Sequence, residues 1–142
     1  MHSSPTPPAH AVISSIQRST HLIAAYLERA VPGLGQADAH VLAALADAGS
    51  RTVAELHHDF GHKRSTLTSI LDRLETRGLV TREIEPTDRR SVRIRLTSRG
   101  AHTARRVAGA FRRVEVRVGR ATSETARRGF WATLEGLERS LR

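Results

Sequence analysis

The sequence predicts a mainly α-helical chain with one small β element, an α+β arrangement in which helices carry most of the fold. Three observations predict it. Apolar residues recur at three- and four-residue spacing through most of the chain. The period falls to two only between Val80 and Thr97. Glycine or Pro-Gly closes helical runs along the way. With 142 residues and 39% hydrophobic content, the chain has enough apolar material for a core without disulfide or metal staples.

Each element follows in order. Residues 1–10 are Ser/Pro-rich and read as a disordered leader. Ala11 to Val31 reads as a first helix on Val12, Ile13, Ile16, Ile23 and Leu27, stopped by Pro32-Gly33. Asp38 to Ala48 is a second, with Val41, Leu42 and Leu45 inward and Gly49 as its stop. Thr52-Val-Ala-Glu55 fits a capping box, opening a short third helix that Gly61 breaks. A fourth runs from about Arg64 to Arg77. Its stripe is Leu67, Ile70, Leu71 and Leu74, and Ser65, Thr68, Ser69, Asp72, Arg73 and Thr76 face the other way.

Val80 to Glu85 and Ser91 to Thr97 then read as paired strands joined by a turn, Pro86-Thr-Asp-Arg-Arg90, with Glu83 and Glu85 facing Arg93 and Arg95 across the ribbon. Ser98 is expected to cap a fifth helix reaching Val118, striped by Ala104, Val107, Ala108, Phe111, Val114 and Val118. Ser123 opens the last helix, where Phe130, Leu134, Leu137 and Leu141 alternate in fours and threes, a spacing that suits a seam against another helix.

Charge bounds the partners. The net charge is +9 at pH 7, carried by 22 arginines and a single lysine, Lys63. It is uneven: residues 1–50 carry −1, residues 51–98 carry +3 and residues 99–142 carry +7. Such a chain is drawn to polyanions. No window approaches a transmembrane helix, so no membrane partner is expected. The N-terminus lacks the basic start and apolar run of a secretion signal, which leaves the cytoplasm by exclusion. The absence of cysteine excludes disulfides, thiolate metal sites and thiol redox sensing.

A short helix, a glycine turn and a longer helix with a polar outer face make a helix-turn-helix, and the ribbon just behind it makes a winged one. Small hydroxyls let a helix approach closely and bond bases or phosphates, so Ser65, Thr66, Thr68 and Ser69, with Lys63, Arg64 and Arg73, are the expected major-groove residues. Arg89 and Arg90 sit at the wing tip, where Arg90 suits a narrow, electronegative minor groove. Asp88 is expected to hold that arginine in place.

The runs Ser65-Thr-Leu-Thr-Ser-Ile-Leu-Asp-Arg-Leu-Glu-Thr-Arg-Gly-Leu-Val80 and Asp88-Arg-Arg-Ser-Val-Arg-Ile-Arg-Leu-Thr-Ser-Arg-Gly100 resemble the MarR family of bacterial transcription regulators. The strong similarity covers Thr52 to Gly100. It implies a homodimer with interlocked terminal helices and two winged domains on a pseudo-palindromic DNA operator. The sequence holds no nucleophile elbow, Walker loop, HExxH pair or paired catalytic carboxylates, so no enzymatic activity is expected. The resemblance also implies a repressor released by a small phenolic or other aromatic effector. Three features depart from the family's pattern, and one is the absence of cysteine, which sets the chain apart from the peroxide-sensing branch with its reactive thiol. Lys63 stands where relatives often have a capping Asp or Ser, and its charge suits phosphate instead. His62 occupies a usually apolar site.

The expected organisation is therefore a leader (1–10), an N-terminal dimerisation helix (11–34), a winged helix-turn-helix domain (35–98) and C-terminal dimerisation helices (99–142). Ile13, Ile16, Phe130, Leu134, Leu137 and Leu141 form the expected dimer seam, since otherwise they expose apolar stripes. His57, His58 and His62 cluster, but Gly61 interrupts the helix between them, so neither a metal nor another cofactor is expected. The other aromatic residues, Tyr26, Phe111 and Trp131 among them, read as core or seam packing. Basic composition alone allows a rival reading, a sequence-nonspecific nucleoid- or RNA-binding protein. The operator, the regulated genes and the effector are not written in the sequence.

Overall fold

The structure is a computed structural model that describes Pro8, residues 11–61 and residues 63–141. The expected leader, apart from Pro8, and His62 lie outside the described residues. The chain divides into two compact units, residues 1–108 and 109–142, and the division falls within a helix.

Along the chain run α1 (Ala11–Ala30), α2 (Gln36–Ala48), β1 (Ser50–Thr52), α3 (Val53–Phe60), α4 (Arg64–Thr76), β2 (Val80–Glu85), β3 (Asp88–Leu96), α5 (Ser98–Ala121) and α6 (Glu124–Leu141). The three strands form one antiparallel sheet in the order β1-β3-β2. This is the predicted winged helix-turn-helix, mainly α with a small wing. Among the described residues no helix is long and apolar enough to cross a membrane.

The first unit holds the core. The inward stripes of α2 (Val41, Leu42, Leu45) and α4 (Leu67, Ile70, Leu71, Leu74) are fully buried. Leu27, Leu56, Val80, Ile94 and Val107 join them. Each such side chain contributes about 1.5–3 kcal/mol by leaving water. α2 ends at Gly49 and α3 at Gly61, both with positive φ that admits glycine most readily, as the sequence predicts.

Three local expectations need correction. The ribbon has a third strand, β1, pairing Ser50–Thr52 with Arg95–Arg93; three residues leading directly into a helix leave no periodicity to read. Thr97, not Ser98, caps α5, because Thr97 Oγ1 accepts the Gly100 N–H at 2.9 Å. Finally, the turn is shorter than Pro86–Arg90. Only Pro86 and Thr87 lie outside the strands, and β3 begins at Asp88 rather than Ser91.

The register explains that last difference. Ile84 pairs with Val92, but Glu85 pairs with Asp88, so Arg89, Arg90 and Ser91 are left as extra residues in a bulge. Across the ribbon Arg95 Nε donates to Glu83 Oε2 at 2.7 Å, and Arg93 Nε donates to Glu85.

In the second unit the latter part of α5 leads through Thr122-Ser123 into α6. Ser123 opens α6 as expected, its Oγ accepting the Ala126 N–H at 3.1 Å. The helix buries none of its residues: Phe130, Trp131 and Leu141 are 59%, 64% and 78% exposed.

Candidate nucleic-acid interface

Local chemistry sets the approach of the two central helices. Thr52 Oγ1 accepts the Glu55 N–H at 3.1 Å, and Glu55 Oε2 accepts the Thr52 N–H at 2.6 Å, completing the capping box that starts α3. The Thr52 backbone hydrogen bond, seconded by its side chain, holds the Glu55 carboxyl below the usual carboxylate range. Gly61, in left-handed conformation, turns the chain toward α4.

Burial of Leu67, Ile70, Leu71 and Leu74 leaves Arg64, Ser65, Thr66, Thr68, Ser69, Asp72 and Arg73 exposed. The Thr68 hydroxyl donates to the Arg64 carbonyl at 2.9 Å and the Ser69 hydroxyl to the Ser65 carbonyl at 3.1 Å. With their protons committed to the helix, these hydroxyls present acceptor lone pairs, which suit the amino groups of adenine or cytosine. At the N-cap, the Lys63 side chain makes no capping bond.

The wing tip is ordered by Asp88, though not through the arginine side chain. Asp88 Oδ1 accepts the backbone N–H of Arg90 at 3.0 Å, fixing the bulge and leaving the guanidinium outside that bond. Helix and wing border one open cleft of about 500 Å³. Arg64 and Thr68 of α4, Asp88, Arg90 and Ser91 of β3, and His57 of α3 line it. Lys63, Ser65, Thr66, Ser69 and Arg89 are exposed but stand outside its lining.

Arg73 has a role that sequence reasoning missed. Its Nη2 donates to Asp38 Oδ1 at 2.6 Å, and that carboxylate, in the first turn of α2, is almost wholly buried. The hydrogen bond and the charge of Asp38 raise the Arg73 pKa further. Nothing in a one-dimensional pattern links positions 35 residues apart. Arg82 of β2 was also missed: its two Nη atoms bond Asp72 Oδ1 at 2.7 Å and Glu75 Oε2 at 2.9 Å, tying the wing to α4 and offsetting two carboxylates on that helix. Among the described residues no ion pair engages Lys63 or Arg64 at the start of α4, or Arg89 or Arg90 at the wing tip.

The histidines gather no such set. Among the described residues no group of three or more His, Asp or Glu side chains stands close enough to hold a metal ion.

Residues 33–91 match the model of the MarR family. Solved structures resemble nearly the whole chain. A DNA complex of MepR from S. aureus is 20% identical over 96% of this chain and all of that one (100%), with TM-score 0.78. BpsR of Bordetella bronchiseptica, whose DNA binding is regulated by 6-hydroxynicotinic acid, is 20% identical over 95% of this chain and 98% of that one, with TM-score 0.73. The apo form of wild-type MarR from E. coli is 24% identical over 97% and 98%, with TM-score 0.68. No curated protein matches the chain by sequence.

Proposed function

We propose, from the match of residues 33–91 to the MarR-family model, that the protein is a DNA-binding transcription regulator that grips a pseudo-palindromic operator as a homodimer and represses by occluding a promoter. One observation carries the reading. Within a single compact unit, Arg64 and Thr68 of α4 and Arg90 of the wing line the same cleft, and no ion pair among the described residues engages Arg64 or Arg90. α4 enters the major groove with Ser65, Thr66, Thr68 and Ser69 toward base edges, and Lys63 and Arg64 meet phosphates. Arg90, with Arg89 beside it, reaches the adjacent minor groove. Asp88 serves the tip by shaping it. Arg73 is assigned to Asp38 rather than to DNA.

Two copies place two α4 helices about 34 Å apart, one helical turn of duplex. The exposed apolar residues Ile13 of α1 and Phe130, Trp131 and Leu141 of α6 support the dimer. A small aromatic ligand as the releasing effector is supported by the regulation of DNA binding of BpsR by 6-hydroxynicotinic acid.

Footprinting on the DNA flanking the protein's own gene, with random duplex as competitor, tests the proposal. A symmetric protected site that outlasts the competitor is the expected result, and log affinity should fall steeply with log salt as counterions are released. Equal affinity for random duplex would favour the coating protein that composition alone allows.

A further inference from the structure

Asp38 is the buried charged residue among the described residues, and no step of DNA reading uses it. Its carboxylate bonds the side chain of Arg73, which is 54% exposed while the carboxylate is 5% exposed. A carboxylate taken out of water is costly unless paired, so the contact resists separation.

Further bonds converge on the same stretch of chain. Arg77, one turn beyond Arg73, donates through Nη1 to the Gly33 carbonyl at 2.8 Å. Arg106 of α5 donates through Nη2 to the Ala30 carbonyl at 3.0 Å, and Glu28 Oε1 of α1 accepts the Gly33 N–H at 2.9 Å. The connection between α1 and α2 is thus bonded from α1, α4 and α5.

Helix geometry gives this clasp a consequence for DNA. Ser65, Ser69 and Arg73 of α4 and its C-capping residue Arg77 are each four residues apart and follow one row. Fixing Arg73 and Arg77 at one end of the row fixes the direction in which Ser69 and Ser65 point at the other. Were α4 to roll about its axis, Arg73 would leave Asp38 and the serines would leave their bearing together.

We propose that Asp38 is a positioning residue for DNA binding: acting through Arg73, it sets the rotation of α4 so that the Ser65–Ser69 row faces base edges. The inference rests on the DNA-binding reading above.

A double-mutant cycle tests it. Full-length wild type, Asp38→Asn, Arg73→Gln and the double variant are titrated, over a salt series, onto the footprinted fragment and onto random duplex of equal length. Asp38→Asn, which leaves the guanidinium intact, should weaken binding to the specific fragment about tenfold, the scale of one lost base contact, with little effect on random duplex. Arg73→Gln should do the same, and the double variant should be no worse than either. All four salt slopes should coincide, because no phosphate contact is removed.

If Arg73→Gln instead weakens both DNAs and lowers the salt slope by about one while Asp38→Asn leaves affinity intact, Arg73 is a phosphate ligand and the proposal is overturned. Equal specific affinity in all four folded proteins overturns it too. Thermal melts report folding, and the double variant, which strands no charge, preserves the comparison if a single variant does not fold. Lack of preference by the wild type itself would sink the operator-binding reading, a result separate from any difference among the variants.

Discussion

A methyl group placed on Gly100 would lie 1.7 Å from the carbonyl oxygen of Leu79 and 2.8 Å from its carbonyl carbon. The two backbones meet where the base of the wing joins the start of α5. Around that contact the Leu79 carbonyl accepts the Thr97 N–H at 3.1 Å, and the Thr97 hydroxyl donates to the Gly78 carbonyl at 2.7 Å. Overpacking costs about 1–3 kcal/mol where side chains can move aside. Here the obstacle is main chain, so relief requires shifting a strand end against a helix. Gly100→Ala is expected to destabilise the protein by about 3 kcal/mol or more, read as a lowered urea midpoint. A midpoint equal to that of the wild type would mean that the junction has slack.

At the wing tip, stability and affinity should separate. Arg90 is exposed, and no ion pair among the described residues holds it. Arg90→Ala is therefore expected to leave the melting temperature unchanged while weakening operator binding by about 1–3 kcal/mol. Asp88→Ala removes the acceptor for the Arg90 N–H and should weaken binding through a looser bulge, with the guanidinium still present. Gel-shift titrations indistinguishable from wild type for Arg90→Ala would take the wing out of the mechanism.

Much of this arrangement was legible because its causes are local. The period of α4, the capping box at Thr52 and the glycine stops are each written within a few residues, and they place the outward face of α4. The wing was legible as alternation from Val80 to Thr97, yet its tip was not. A strand keeps its appearance when one side gains three residues, so the bulge at Arg89–Ser91 follows from the register of Ile84 with Val92 rather than from composition. The role of Arg73 was illegible for another reason. An arginine on the polar face of a helix looks the same whether it awaits phosphate or is tied to a buried carboxylate, and only packing brings Asp38 to it.

Glu55 links the start of α3 to pH. The bond from the Thr52 N–H holds its carboxyl below the usual range in the folded protein, so folding favours the ionised form. The contribution is present above the ordinary glutamate pKa of about 4.3 and is lost as pH falls through the lower folded value. Wild-type stability should consequently drop through the acid range more steeply than that of Glu55→Gln, which keeps an acceptor but does not titrate there. Denaturant midpoints of the two proteins, followed from neutral to acid pH, should converge. Parallel curves would show that this capping box does not contribute to the acid response.

The exposed side of α6 makes the subunit question testable without disturbing either compact unit. Phe130 and Leu141 are 59% and 78% exposed and α6 buries none of its residues, so replacing these two with glutamate removes no buried side chain from a single chain. If Phe130, Leu134, Leu137 and Leu141 are the seam, a charge at Phe130 or Leu141 must be desolvated in the dimer without a partner, a cost large enough to part the subunits. Phe130→Glu and Leu141→Glu should then sediment as folded monomers with an unchanged far-ultraviolet spectrum, whereas the wild type sediments as a dimer. Operator affinity should fall by far more than either substitution could cause by direct contact, because each lobe then binds its half-site alone and the advantage of linkage is gone. A wild type that sediments as one chain at all concentrations would remove the two-fold operator from the proposal and leave the α4–wing surface to bind singly.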